Sequence, residues 1–243
     1  MRLDQYLYTE GMCESRTKAQ NLIKSQRVTV NGKLCEKTSF EVYDGDDVKI
    51  KKNEEYDFVS RGGNKLEHAF RTFSFSAEDK ICVDIGASTG GFTECLLLHG
   101  AKKVYAIDSG KNQLRAKLLA NPKVVSMESF NARMLTSDDL NSERADVVVM
   151  DVSFISQKLL YPAVKAISSS PCDIITLIKP QFEAGKATLN KNGIVKSDKV
   201  RIKVVEDIIN FAKDMGFEYV NHCQSPITGG DGNVEFLLHL RIK

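Results

Sequence analysis

The chain has 243 residues, 42% of them hydrophobic and 27% charged, with a formal net charge of +2. That length holds one large domain or a large one with a small companion, and no apolar run approaches the roughly 18 residues of a membrane-spanning helix. The charged start, MRLDQYLYTE, lacks the apolar segment of a secretory signal, so a cytoplasmic protein is expected.

Six cysteines, at positions 13, 35, 82, 95, 172 and 223, are scattered without a C-x-x-C pair. Neither a zinc site nor a disulfide framework is expected from them, and no other metal site is read from the sequence. The small net charge conceals two basic clusters. Residues 1 to 40 carry seven Lys/Arg against four acids, and residues 179 to 203 carry seven against two. Such patches attract phosphate backbones, though each alone also reads as a solvated face.

RLDQYLY sets Leu3, Tyr6 and Leu7 at helical spacing, and SRTKAQNLIK repeats the pattern with Ala19, Leu22 and Ile23 behind Ser15 as N-cap. In VTVNGKLC, Asn31-Gly32 between alternating β-formers signals a type I′ hairpin; the turn YDGDD and the strand VKIKK follow. Arg16, Lys18, Lys24 and Arg27 fall on the second helix and its exit, where they form either a nucleic-acid surface or a solubilising face. The polar segment KKNEEYDF (51–58) reads as a linker. The domain bounds are placed at 1–52, 53–59 for the connection, and 60–243.

From residue 80 the chain alternates strand and helix: KICVDIG, GFTECLLLHG, KKVYAID, QLRAKLLA, KVVSMES, ADVVVMDV, LLYPAVKAI and CDIITLIK. After a loop come the amphipathic KVRIKVVEDIINFAKDMGF and two closing strands, EYVNHCQS and VEFLLHLRI. Seven strands in this order predict an α/β fold: a mixed, mostly parallel sheet covered by helices on both faces, with ligands at the carboxyl ends of its strands. A small α+β domain precedes it.

The loop ICVDIGASTGGFT decides which nucleotide sits there. A dinucleotide site needs G-x-G-x-x-G, but Ser88 stands at the middle position between Gly86 and Gly91, and no P-loop lysine follows. Asp84 would repel a pyrophosphate and suit a cationic ligand such as S-adenosylmethionine, held by the Asp84, Gly86, Ala87, Ser88 and Gly90 loop. Asp108 ends the next strand, where an acid accepts from ribose hydroxyls; it reads equally as the N-cap of GKNQLRAKLL. On these residues a methyltransferase is favoured over a nicotinamide oxidoreductase, which stays open.

Lys65 lies in the first turn of the helix in SRGGNKLEHAFRTF, where a cation opposes the helix dipole. Asp151 ends ADVVVMD, Lys179 ends CDIITLIK before Pro180, and Glu235 lies at the start of the last strand. Each alone reads as a salt-bridge partner. Together at one crevice they suit methyl transfer to a ribose hydroxyl, which must be aligned and relieved of its proton.

Two resemblances carry the reading further. RLDQYL, SRTKAQNLIKSQRVTVNGK and GDDVKI resemble the alpha-L RNA-binding module, which implies contact with structured RNA through Arg16, Lys18, Lys24 and Arg27. VSRGGNKLE, DIGASTGGFTECLL, VYAIDSG, NAR, DVSFIS, IKPQFEAGK, GIVKS and SPITGGDGNVEFLLHL resemble the TlyA family, historically called hemolysin A. That family joins the alpha-L module to an FtsJ-like, Rossmann-like class I methyltransferase domain acting on ribose 2′-hydroxyls of ribosomal RNA.

The resemblance implies a catalytic tetrad of Lys65, Asp151, Lys179 and Glu235, with Lys179 the general base and Asp151 its aligning carboxylate. It implies that Asp108 meets the ribose of S-adenosylmethionine and Asn131 lies near its adenine. The basic loop QFEAGKATLNKNGIVKSDK would cover RNA near the crevice or serve as a plain connection. Ribosomal RNA or ribosomal subunits are the implied partners. The rivals are a ribosome-associated RNA-binding factor with a non-catalytic methyltransferase fold and a membrane-active hemolysin. The second has no spanning segment or strongly amphipathic membrane helix to support it.

Overall fold

In the computed structural model, residues 1–24, 26–50 and 58–243 are described. They form two compact units, divided between Asp57 and Phe58. Most of the expected linker, residues 51–57, and the end of the strand VKIKK lie outside the described residues.

The first unit runs α1 (Leu3–Thr9), α2 (Arg16–Lys24), β1 (Val28–Val30), β2 (Lys33–Leu34) and β3 (Val48–Ile50). The strands form an antiparallel sheet in the order β2-β1-β3. The hairpin between β1 and β2 turns on Asn31 (φ 52°) and Gly32 (φ 76°), the two positive φ values that a type I′ turn requires. Ser15 caps α2, its Oγ accepting from Lys18 N–H at 3.1 Å. Leu3, Leu7, Ala19, Leu22, Ile23 and Val28 are buried together, so the two short helices are held by tertiary packing.

The second unit begins with Phe58. This residue and Val59 belong to the domain, not to the connection in which the sequence placed them. Phe58 is 4% exposed, and its ring occupies the space that a side chain at Gly63 would fill. There follow α3 (Gly62–Thr72), β4 (Ile81–Ile85), α4 (Gly91–Leu98), β5 (Lys103–Ile107), α5 (Ala116–Leu119), β6 (Val124–Met127) and β7 (Ala145–Met150). The unit closes with α6 (Tyr161–Ile167), β8 (Ser168–Ile178), α7 (Pro180–Glu183), α8 (Asp198–Asp214), β9 (Glu218–Gln224) and β10 (Phe236–Ile242).

The sheet order is β6-β5-β4-β7-β8-β10-β9, and β10 alone runs against the others. Strand residues alternate between two cores, as a period of two demands. Val83, Ile85, Val148 and Met150 pack with residues of α6 and α8, whereas Cys82, Val147 and Val149 pack with residues of α3 and α4. Burying each such side chain is worth about 1.5–3 kcal/mol.

QLRAKLLA forms only a single turn. The Glu128 carboxylate accepts the backbone N–H groups of Asn112, Gln113 and Leu114 at 2.6, 2.6 and 2.9 Å, holding the approach to α5 in a non-helical path. The chain enters the sheet at β4, steps outward through β5 and β6, then returns to β7 on the other side of β4. The switch point therefore lies at the carboxyl ends of β4 and β7, where a ligand crevice forms.

Candidate active site

Gly86 follows β4 and Asp151 follows β7. Asp151 N–H donates to Ile85 O at 3.0 Å, drawing the two strand exits together. Gly86 has φ +85°, and a Cβ there would stand 2.5 Å from the Asp151 carbonyl oxygen, so only glycine allows this approach. Gly90 has φ +97° as N-cap of α4, and a Cβ on it would collide with Leu118. Ser88 holds φ +48° without being glycine, a strained conformation at the crevice.

The loop leaves few donors for phosphate. Gly86 and Ala87 N–H both donate to Ile107 O at 2.8 and 3.1 Å, and Ser88 N–H donates to Asp108 Oδ2 at 2.8 Å. Asp108 Oδ1 accepts Gly110 N–H at 2.7 Å. Asp108 is therefore a brace between two loops and not a helix N-cap. Arg115 occupies the N-cap position of α5, because the chain from 109 to 115 is bound by Asp108 and Glu128 before any helix starts.

Asp84 lies beneath this loop, fully buried, and lines neither cavity of the crevice. Its Oδ2 accepts from Thr93 Oγ at 2.7 Å, while Oδ1 has no partner among the described residues. Burial pushes the carboxyl up to about 7; the Thr93 bond opposes this and the charge of Asp151 adds to it.

Two cavities open at the switch point, and both are walled by Gly86, Ser88, Asp151 and Ser153. One, of about 320 Å³, extends past Asp108, Phe130 and Asn131. Asn131 caps a short 3₁₀ turn, its Oδ1 accepting from Arg133 N–H at 3.1 Å. The other, of about 270 Å³, is lined by Ser60, Arg61, Lys65, Lys179 and Thr228.

The structure brings the four ionisable residues together. Lys65 Nζ donates to Glu235 Oε2 at 2.6 Å and stands 4.0 Å from Asp151 Oδ2. Lys179 Nζ pairs with Asp151 Oδ1 at 2.6 Å and donates to Ser153 Oγ at 2.8 Å. Asp151 thus stands between two ammonium groups. Lys65 is 8% exposed and Glu235 2%, so the pair is taken almost wholly out of water.

Sequence reasoning assigned no role to Ser60, Arg61, Ser153 or Thr228, which line the crevice, or to Glu183, which shapes it. The first three lay inside the motifs SRGG and DVSFIS. Glu183 accepts Ser156 Oγ at 2.6 Å and Gln157 N–H at 2.9 Å, fixing the loop after β7. Phe154, on that loop, is 91% exposed with φ +64° at the cavity wall.

The basic segment 181–199 lines neither cavity and is tied down: Asn233 accepts Val195 N–H at 3.1 Å and donates to Gly193 O at 3.1 Å.

The described cysteines carry free thiols. Glu67, Cys95 and His99 bring ligand-type atoms within 4.8 Å of one another, but Glu67 is already engaged by Arg71 at 3.0 Å and His99 at 2.7 Å.

In the first unit, Arg16 Nε donates to the fully buried Asp4 at 3.0 Å, alongside Arg2 at 3.0 Å and Gln20 at 2.8 Å. Burial alone would raise Asp4, but the bonds from Arg2, Gln20 and Arg16 prevail and hold it well below the usual carboxylate range. Lys18 is half-buried on α2, Lys24 is exposed at its end, and Arg27 is half-buried before β1.

Residues 58–242 match the model of the FtsJ-like methyltransferase family, and residues 1–48 match the S4 domain. A Brachyspira hyodysenteriae protein named hemolysin A is 47% identical over 242 residues, covering 100% of each chain. The Mycobacterium tuberculosis 16S/23S rRNA (cytidine-2′-O)-methyltransferase TlyA is 39% identical over 240 residues, 99% of this chain and 89% of its own. The chain belongs to the TlyA family of FtsJ-like methyltransferases. A solved Streptococcus thermophilus structure agrees at 42% identity with a TM-score of 0.78, spanning 100% of this chain and 88% of that one. This TlyA-family chain therefore joins an S4 unit to a methyltransferase sheet, and among its described residues no helix is long and apolar enough to cross a membrane.

Proposed function

We propose that the protein methylates ribose 2′-hydroxyls of ribosomal RNA with S-adenosylmethionine, acting in the cytoplasm. The observation that carries this reading is the Lys65, Asp151, Lys179 and Glu235 cluster beside a nucleoside-sized cavity at the sheet's switch point. The residues fit the cofactor on three counts. Asp84 keeps an orphaned buried oxygen beneath the loop, suited to a cationic ligand. Asp108 lines the cavity with a spare lone pair on each oxygen, and the N–H groups of Gly86, Ala87 and Ser88 are spent internally, which suits a ligand without pyrophosphate.

When bound, S-adenosylmethionine would supply a methyl group on a cationic sulfur, the carbon–sulfur bond breaking as the ribose oxygen takes the methyl. The Gly86, Ala87, Ser88 and Gly90 loop would hold the methionine end, with the Asp84 carboxyl acting on it from beneath the loop. Asp108 would hold the ribose, and Asn131 would border the adenine. Lys179, in its amine form, takes the proton from the target 2′-hydroxyl as the new carbon–oxygen bond forms. Asp151 keeps Lys179 in place. Lys65, held by Glu235, donates to the target oxygen and fixes its direction. With Lys179 in its amine form, the two acids outweigh the single ammonium of Lys65, so the site does not repel the cationic cofactor.

RNA is recruited by residues 1–52 through Arg16, Lys18, Lys24 and Arg27, with 60–243 carrying out the chemistry. Asp4 supports this face by holding Arg16 in one position. The test is methyl transfer from labelled S-adenosylmethionine to ribosomal subunits or naked ribosomal RNA, followed by mapping of any ribose methyl. No label on any of them refutes the reading.

A further inference from the structure

Lys179 has two polar partners of different kinds. Asp151 Oδ1 forms an ion pair with its Nζ at 2.6 Å without a hydrogen bond, and Ser153 Oγ accepts its N–H at 2.8 Å. A tetrahedral nitrogen bonded to Cε has three remaining positions. With the ion pair alone, the amine is held in place but free to rotate about the Cε–Nζ bond and present either hydrogen or lone pair to a substrate. The directional bond to Ser153 removes that freedom: it fixes one N–H, and with it the positions left for the lone pair once the group is deprotonated. Lys179, Asp151 and Ser153 all line the 270 Å³ cavity.

We propose that Ser153 is the positioning residue that aims the Lys179 lone pair at the substrate hydroxyl. The inference rests on the reading of Lys179 as the base. A proton transfer is sensitive to the direction of the accepting orbital, so a misdirected amine is a poor base whatever its proton affinity.

The surrounding chain holds Ser153 to this role. Ser153 lies two residues after Asp151, so both partners of Lys179 travel on the same loop. That loop is bonded back to the turn just beyond Lys179, where Glu183 takes Ser156 Oγ and Gln157 N–H at 2.6 and 2.9 Å. The next residue, Phe154, keeps φ +64°, a conformation that a bulky side chain adopts only under such restraint. Ser153 also walls both cavities, placing its hydroxyl between the cofactor side and the side lined by Lys65 and Lys179.

The test compares Ser153→Thr with Ser153→Val, which share a shape and differ in the hydroxyl, and adds Ser153→Ala. Full-length protein is assayed for single-turnover methyl transfer from labelled S-adenosylmethionine to ribosomal RNA across a pH series. A change in proton affinity displaces the pH profile, whereas lost orientation lowers the rate at every pH without displacing it. Ser153→Val and Ser153→Ala are expected to lose roughly tenfold or more in single-turnover rate with cofactor affinity nearly unchanged, while Ser153→Thr stays within about threefold of wild type.

Equal rates for the Thr and Val variants, or a loss confined to cofactor affinity, overturn the proposal while leaving the enzyme reading intact. Because Thr and Val carry the same packing change, this comparison holds even if the Ala variant folds poorly. A wild-type chain inert on every RNA offered overturns the base role of Lys179 and this inference with it.

Discussion

Lys65 Nζ and Glu235 Oε2 meet at 2.6 Å across 170 residues of chain, with both side chains nearly excluded from water. A buried pair broken by removing one partner strands the other charge, at a cost of about 3–5 kcal/mol, whereas apolar replacement of both is far milder. Glu235→Leu and Lys65→Met should each lower stability by several kcal/mol, and the double variant by less than either single. Denaturant midpoints of the four proteins check this. Methyl transfer should be lost in all three variants, which separates stability from chemistry.

Asp84 should give the domain a recognisable pH signature. Burial raises its carboxyl from 3.8 to about 7, so between those values the folded chain keeps a proton that the unfolded chain has released. The stabilisation is complete below the unfolded value and is lost as pH rises through about 7. Relative to Asp84→Asn, the wild-type protein should lose a few kcal/mol of unfolding free energy between about pH 4 and pH 8. Unfolding titrations of both proteins across that range test it; parallel curves would rule the assignment out.

A Cβ at Gly86 would stand 2.5 Å from the Asp151 carbonyl oxygen. Gly86→Ala should therefore part the exits of β4 and β7 and weaken S-adenosylmethionine binding by roughly tenfold or more, with the sheet still folded. Calorimetric titration with circular dichroism on the same sample distinguishes this from general unfolding.

In the first unit, Asp4 collects Arg2, Arg16 and Gln20. Its lowered carboxyl contributes stability that is present above the unfolded value near 3.8 and is lost as pH falls through the folded value. Asp4→Asn should raise hydrogen exchange in residues 1–24, and should weaken RNA binding through the released Arg16. Alanine at Arg16, Lys18, Lys24 or Arg27 should each reduce the salt dependence of RNA affinity by about one unit of slope, leaving cofactor affinity unchanged.

The sheet was largely legible in the sequence, because buried parallel strands such as ADVVVMD and CDIITLIK are short apolar runs bounded by turn residues. The hairpin at Asn31-Gly32 was equally plain, since few sequences satisfy two consecutive positive φ values. The four tetrad residues were legible one by one as ionisable groups at strand and helix ends, and family resemblance joined them into a tetrad with roles. Periodicity places Lys65 on a helix and Glu235 by a strand, but nothing local brings them within hydrogen-bond range.

What escaped was the bracing. Glu128 shortens α5 by capturing three amides from a distant strand end, and Asp108 binds two loops where a helix cap was expected. Phe58 looks like linker until Gly63 is seen to leave room for its ring. Each depends on a contact made by the fold and not on the residue's immediate neighbours.

The account stands or falls on Lys179. With wild-type protein, labelled S-adenosylmethionine and ribosomal RNA or subunits, label should appear on a ribose 2′-oxygen. Lys179→Ala should abolish it while still binding cofactor and RNA. Undiminished transfer by Lys179→Ala, or label found on a base instead of a ribose, would contradict the mechanism.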